Sequence, residues 1–235
     1  MDRQNNQEIS GVQNQINHIT QKDLFLFDLD GTIIDSSKDI AVAVNHTLNM
    51  LGMDPLPEDH IIRHVGYGGR RLMEGVLKTT DSQIIDKAVS IFRDYYFKNP
   101  AEHTVLYPYV EDLFILLKKN SKKIGIVTNK YEDISRKIIK KLGIDMYIDI
   151  LVGGDTVERK KPDPYPILYA VESLGSKVEE SVMIGDSEAD IQAGKSAGLT
   201  TVFVNYGFGN TDKVILYSPE IVIEGMDQIL KLFKV

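Results

Sequence analysis

The chain has 235 residues, 43% hydrophobic and 26% charged, which is ordinary globular composition and enough length for one large domain or two modest ones. It contains no cysteine, so disulfides and thiolate metal sites are excluded, and any catalytic metal must be held by oxygen or imidazole, which favours a hard cation. The net charge of −7 argues against a general nucleic-acid binder, and no apolar run approaches the length of a membrane span.

Residues 1–20, MDRQNNQEISGVQNQINHIT, are rich in Gln and Asn and lack the apolar core of a signal peptide, so a loosely ordered tail and a cytoplasmic protein are expected. KDLFLFDLDGTIID (22–35) then reads as a strand. Leu24 to Leu29 is continuously apolar and too short for a typical helix, as expected of a strand covered on both faces of a parallel sheet. It ends on two carboxylates, Asp28 and Asp30, beside Gly31 and Thr32. An Asp-Gly pair alone signals a turn. Two carboxylates that a turn at Gly31 can bring to one cavity signal a site, because like charges there raise one pKa unless a cation intervenes.

From Ser36 the period changes. Ser36 precedes Asp39 by three, as in a capping box, and Ile40, Ala43, Val44, Thr47, Leu48 and Leu51 follow helical spacing up to Gly52. Residues 58–99 continue with helical segments separated by Gly-rich or polar breaks. After Pro100 helices alternate with the strands KIGIVT, IDILVGG, SVMIGD and TTVFVNYG, and a last strand EIVI precedes the helix MDQILKLF. This βαβ rhythm predicts an α/β fold, an open parallel-sheet, Rossmann-like core over residues 21–35 and 106–235, with an inserted α-helical cap over 36–105.

The carboxyl ends of parallel strands meet at one edge of a sheet, where such folds bind ligands. Read there, the strands present Asp28 and Asp30, then Thr128 and Asn129, then Lys160 and Lys161, then Asp186 and Asp190. Each residue alone has an ordinary structural explanation; their succession points to chemistry. An ionised Asp28 can attack phosphorus without a base, and the acyl phosphate it forms is open to hydrolysis. Asp30 can protonate the leaving oxygen and then deprotonate the incoming water. Mg²⁺ held by Asp28 and Asp186 would relieve the carboxylate repulsion, and Thr128 and Lys161 supply donors to the transferring phosphoryl group.

DLDGT, VTNK, KKPDP and GDSEAD, in that order, resemble the four motifs of the haloacid dehalogenase-like hydrolase superfamily, and the resemblance covers nearly all of the chain after residue 20. It implies Asp28 as nucleophile, Asp30 as general acid/base, Thr128 and Lys161 as phosphate binders, and Mg²⁺ on Asp28, the Asp30 carbonyl and Asp186. It also implies Asp190 behind the metal, orienting a metal water or Lys161, with Gly31, Thr32 and Asn129 beside the substrate. Asp30 favours phosphoryl transfer, since dehalogenases and phosphonate hydrolases lack an aspartate two after the nucleophile. HVGYGGRRLMEGVL (64–77) is similar to the cap segment of phosphoglycolate phosphatases, which implies Gly69 and Arg70, or Arg71, at the substrate. The expected function is Mg²⁺-dependent hydrolysis of a small phosphorylated metabolite, 2-phosphoglycolate first. A β-phosphoglucomutase-like enzyme, a pyrophosphatase or nucleotidase, and a non-catalytic phospho-ligand binder are the alternatives.

Overall fold

The computed structural model describes residues 18–233, so most of the expected tail lies outside the described residues. Within that tail, Ile19 is buried in the main core. Six strands form one wholly parallel sheet: β1 (Leu24–Phe27), β4 (Lys123–Val127), β5 (Ile150–Val152), β6 (Ser181–Gly185), β7 (Thr200–Val204) and β8 (Ile221–Ile223). Their spatial order is β5-β4-β1-β6-β7-β8. The chain therefore grows outward from β1 in both directions, and β1 lies at the point where the strand order reverses.

The unbroken apolar run of β1 is explained by its surroundings. Successive side chains point to opposite faces. Phe25 and Phe27 enter the larger core with Leu113, Phe114 and Leu117 of α5 (Val110–Lys119) and Ile134 and Ile138 of α6 (Glu132–Lys141). Leu24 and Leu26 enter a second core with Ile167 and Ala170 of α7 (Tyr165–Ser173) and Ala193 of α8 (Glu188–Ala197). Helices α9 (Thr211–Ile215) and α10 (Asp227–Leu232) complete the core. Among the described residues no helix is long and apolar enough to cross a membrane.

Between β1 and α5 the chain leaves the sheet through β2 (Ile34–Asp35) and returns through β3 (Val105–Leu106). These pair antiparallel, Ile34 opposite Leu106 and Asp35 opposite Val105. Two-residue strands carry no periodicity, so the sequence gives no sign of them. Four helices lie between: α1 (Ser37–Met50), α2 (Glu58–Ile62), α3 (Gly69–Leu77) and α4 (Ser82–Lys98). Helix α1 packs on α2 and α4, and α3 packs on α4.

The Ser36–Asp39 capping box does not form. The Ser36 hydroxyl is used elsewhere, donating to Asp30 Oδ1 at 2.5 Å. Asp39 is buried and reaches the returning segment, accepting from His103 N (3.0 Å), Thr104 N (2.8 Å) and Thr104 Oγ1 (2.6 Å). Long-range donors have outbid the local one, because leaving them buried and unpaired costs more than a frayed helix end. A capping box occurs instead at α8, between Ser187 and Asp190.

Asp39 thus ties the outgoing chain to the incoming one. Asp39→Ala should lower stability by about 2–4 kcal/mol, the penalty for several orphaned donors, read as a lower urea midpoint at unchanged slope. Asp39→Asn, which keeps one acceptor oxygen, should cost less. A loss below about 0.5 kcal/mol for the alanine variant would show that water satisfies those donors.

Candidate active site

Asp28 follows the last residue of β1 and is anchored by its own backbone, its N–H donating to Ile184 O of β6 at 2.9 Å. Its carboxylate is buried. From the loop after β5, Lys161 reaches under the strand ends. Its ammonium donates to Asp28 Oδ1 (2.8 Å), Asp190 Oδ1 (2.5 Å) and Val127 O (2.5 Å), and its side chain is 2% exposed.

Asp186 follows β6 and accepts from Phe208 N (2.7 Å), Gly209 N (3.1 Å) and Thr32 Oγ1 (3.3 Å). Asp190, in the first turn of α8, accepts from Ser187 N (3.0 Å) and Ser187 Oγ (2.6 Å) through its second oxygen. Close packing shapes this region. Gly31 has φ +83°, and a Cβ there would lie 2.3 Å from Asp186 Oδ2, so no side chain fits.

Asp28, Asp186 and Asp190 each offer an oxygen within 4.8 Å of the others, all three buried. Three carboxylates against one ammonium leave two negative charges uncompensated. The consequence is visible in their acidities. Burial pushes the Asp28 carboxyl up to about 6, against the pull of Lys161 and with a further push from Asp190. Burial, then Asp190 and Asp28, raise Asp186 well above the usual carboxylate range. Lys161 is raised as well: burial opposes its charge, and Asp190 and Asp28 outweigh burial. A buried, all-oxygen, net-negative cluster without a thiol or imidazole fits a hard divalent cation.

Asp28, Asp30, Thr128 and Asn129 line one side of a cavity of about 50 Å³, and Gly66, Gly68, Gly69, Leu72 and Phe92 of the insert line the other. Asn129 joins the two sides, its amide donating to Gly66 O (2.8 Å) and Lys161 O (2.9 Å). Asp30 accepts from Ser36 Oγ and, through both carboxylate oxygens, from the Lys130 ammonium.

Of the expected residues, Asp28, Asp30, Thr128, Asn129 and Gly69 line the cavity, while Lys161, Asp186 and Asp190 sit behind its Asp28 end. Gly31 and Thr32 lie under Asp186 and do not line it. Arg70 is not brought to the cavity. It is fixed by Glu74 one turn later (3.4 Å) and by Asp86 of α4, and Arg71 pairs with Glu74 at 3.0 Å. The insert presents glycine backbone there in place of a cation. Lys130 and Tyr96 line the cavity as well, although neither is among the residues expected there. Lys130 lies within the VTNK motif, while Tyr96 reads as one of many apolar positions on a helix.

A model of the family described as haloacid dehalogenase-like hydrolase matches residues 25–204. The chain is 39% identical over 209 residues to a phosphoglycolate phosphatase of Aquifex aeolicus, covering 89% of this chain and 95% of that one. It is 37% identical over 221 residues to a phosphoglycolate phosphatase of Colwellia psychrerythraea, covering 90% and 97%. Among solved structures it is similar to a predicted phosphoglycolate phosphatase from Haemophilus somnus, with TM-score 0.84, 27% identity, and 90% and 98% of the two chains covered. A haloacid dehalogenase-like family hydrolase from Streptococcus pneumoniae superposes with TM-score 0.81 at 25% identity, covering 91% and 99%. With its carboxylates gathered at the ends of β1 and β6 and more than half its length matched, the chain belongs to the haloacid dehalogenase-like hydrolases.

Proposed function

We propose that this phosphoric monoester hydrolase acts on 2-phosphoglycolate, or a phosphate monoester of similar size, through an aspartyl-phosphate intermediate. The observation that carries the reading is the pairing of Asp28 and Asp30 on one cavity wall with Thr128 beside them. The named substrate of the Aquifex and Colwellia relatives supports the choice of ester.

Asp28 attacks phosphorus; the ester oxygen departs with the bonding pair and takes a proton from Asp30. Asp30 then removes a proton from water, whose oxygen attacks the same phosphorus and returns the Asp28 carboxylate. Thr128 donates to the phosphoryl oxygens, and Lys161 holds Asp28 in line while offsetting part of the charge. A Mg²⁺ ion on Asp28, Asp186 and the Asp30 carbonyl would supply the remaining positive charge when bound.

The cavity of about 50 Å³ is walled from both directions, by Asp28, Asp30 and Thr128 of the core and by Gly68, Leu72 and Phe92 of the insert. Opening of the insert, hinging at β2 and β3 around Asp35 and Leu106, would admit the substrate, and closing would exclude water. Leu72 and Phe92 present an apolar wall to the leaving group.

Asp28→Asn should abolish turnover without lowering the melting temperature of metal-free protein, since it removes a carboxylate that burial disfavours in its ionised form. Retained turnover would refute the nucleophile. Asp30→Asn should slow alkyl phosphate hydrolysis by roughly 10²–10⁴-fold, the usual worth of a general acid, and the loss should shrink as the leaving group improves. Equal losses across leaving groups would count against that role.

Metal binding should compete with protons. The Asp28 carboxyl sits above its unfolded value of 3.8, so in metal-free protein its penalty is absent at low pH and complete once pH has risen through about 6. MgCl₂ should therefore raise the melting temperature strongly at pH 7.5 and weakly at pH 5. Mn²⁺ should replace Mg²⁺, and Ca²⁺, with its larger and looser shell, should support little turnover. Full activity in EDTA-treated protein, or an Mg²⁺ effect on melting that ignores pH, would overturn the metal assignment.

A further inference from the structure

Lys130 follows Thr128 by two residues at the end of β4, and its backbone is fixed from both sides. Its N–H donates to Thr128 Oγ1 at 3.2 Å and its carbonyl accepts from Gly154 N at 2.7 Å. The side chain is 7% exposed. An ammonium has three N–H bonds to give, and three acceptors surround this one: Asp30 Oδ1 at 2.9 Å, Asp30 Oδ2 at 3.0 Å and the Tyr96 hydroxyl at 2.9 Å. Burying two charges is costly unless every donor is used. Here every donor is used, and Asp30 and Tyr96 together hold Lys130 above the ordinary lysine range although burial opposes its charge.

Two features separate this arrangement from a structural ion pair. It grips Asp30 at both oxygens, which fixes the plane of the carboxylate as well as its position. Its third acceptor comes from the insert: Tyr96 belongs to α4, is fully buried, and packs edge-on against Phe92 at 5.6 Å. Burial pushes the Tyr96 hydroxyl up to about 12, so it stays neutral beside the ammonium. Lys130 makes no recorded bond to Asp28, which has its own lysine in Lys161.

We propose, on the basis of the phosphatase reading, that Lys130 is the positioning residue for Asp30, and that Tyr96 completes it so that the acid/base carboxylate is aimed only while α4 is seated on the core. The effect is confined to proton transfer. Nucleophilic attack by Asp28 is served by a separate set of bonds and is not routed through Lys130.

The test is the single-turnover release of leaving group, by rapid quench, from p-nitrophenyl phosphate and from a primary alkyl phosphate. The phenolate departs without a proton; the alkoxide needs one. Lys130→Met keeps the length of the side chain and Tyr96→Phe keeps the packed ring. Release from the alkyl ester should fall by about a hundredfold in Lys130→Met and about tenfold in Tyr96→Phe, within the range a misplaced general acid can lose. Release of p-nitrophenol should change by no more than about threefold, and the half-saturating concentration of either ester should hold, the split expected of lost transition-state help. The double variant should be no slower than Lys130→Met, because both changes act through one chain of bonds.

If Lys130→Met does not fold, Tyr96→Phe decides, since it removes a single oxygen. Equal losses on the two esters, or no loss on the alkyl ester, overturn the inference while leaving the phosphatase reading intact. A wild-type protein that releases neither leaving group overturns both.

Discussion

Three carboxylates crowded at the ends of two adjacent strands are the constraint that the surrounding structure answers. Asp28, Asp186 and Asp190 repel one another where little water screens them, and each is held in place by donors of its own. Lys161 bridges Asp28 and Asp190; Phe208 and Gly209 turn backbone N–H groups to Asp186; Ser187 gives two donors to Asp190. These contacts fix the geometry without cancelling the charge, which is why burial still raises Asp28 and Asp186. Buried like charges in this arrangement are what a bound divalent cation would relieve.

The sheet makes such crowding achievable. Neighbouring parallel strands lie about 4.8 Å apart, so residues leaving β1 and β6 at matched register arrive within contact distance of each other. β4, on the other side of β1, delivers Thr128 and Lys130 to the opposite flank. Because the insert departs just after β1, the same few residues that carry Asp28 and Asp30 also lead into the chain that roofs them. Ser36, at that exit, donates its hydroxyl to Asp30 and so links the start of the insert to the carboxylate.

What could be read beforehand was whatever depends on local period. The both-faces-buried run at Leu24 to Phe27, the helix from Ser37 and the alternation after Pro100 follow from which faces are covered, and sequence records that directly. The motif aspartates were legible because strand ends in a parallel sheet converge whatever the loops do. Asp39 was misread because its spacing to Ser36 satisfies a local rule, whereas its donors lie more than sixty residues away at His103 and Thr104. Arg70 was expected at the substrate from a glycine-rich turn, yet which way a helix-start cation points depends on its neighbours, and Glu74 and Asp86 hold it. Tyr96 is hidden for a related reason: a buried aromatic on an amphipathic helix reads as core, and its hydroxyl gains meaning only when the chain after β4 brings Lys130 to it.

The two aspartates two residues apart are kept different by their company. Asp28 belongs to a set with three negative groups and one positive one, Asp30 to a set with one of each and a neutral tyrosine. A phosphate dianion placed against Asp28 would add to that imbalance, which a bound divalent cation would relieve. Apolar side chains of the insert, Leu72 and Phe92 among them, wall the cavity beside Asp30. Under the proposed phosphatase reading, a cation bound at the carboxylate cluster would draw phosphorus toward Asp28 and leave the alcohol on the side of Lys130 and Tyr96.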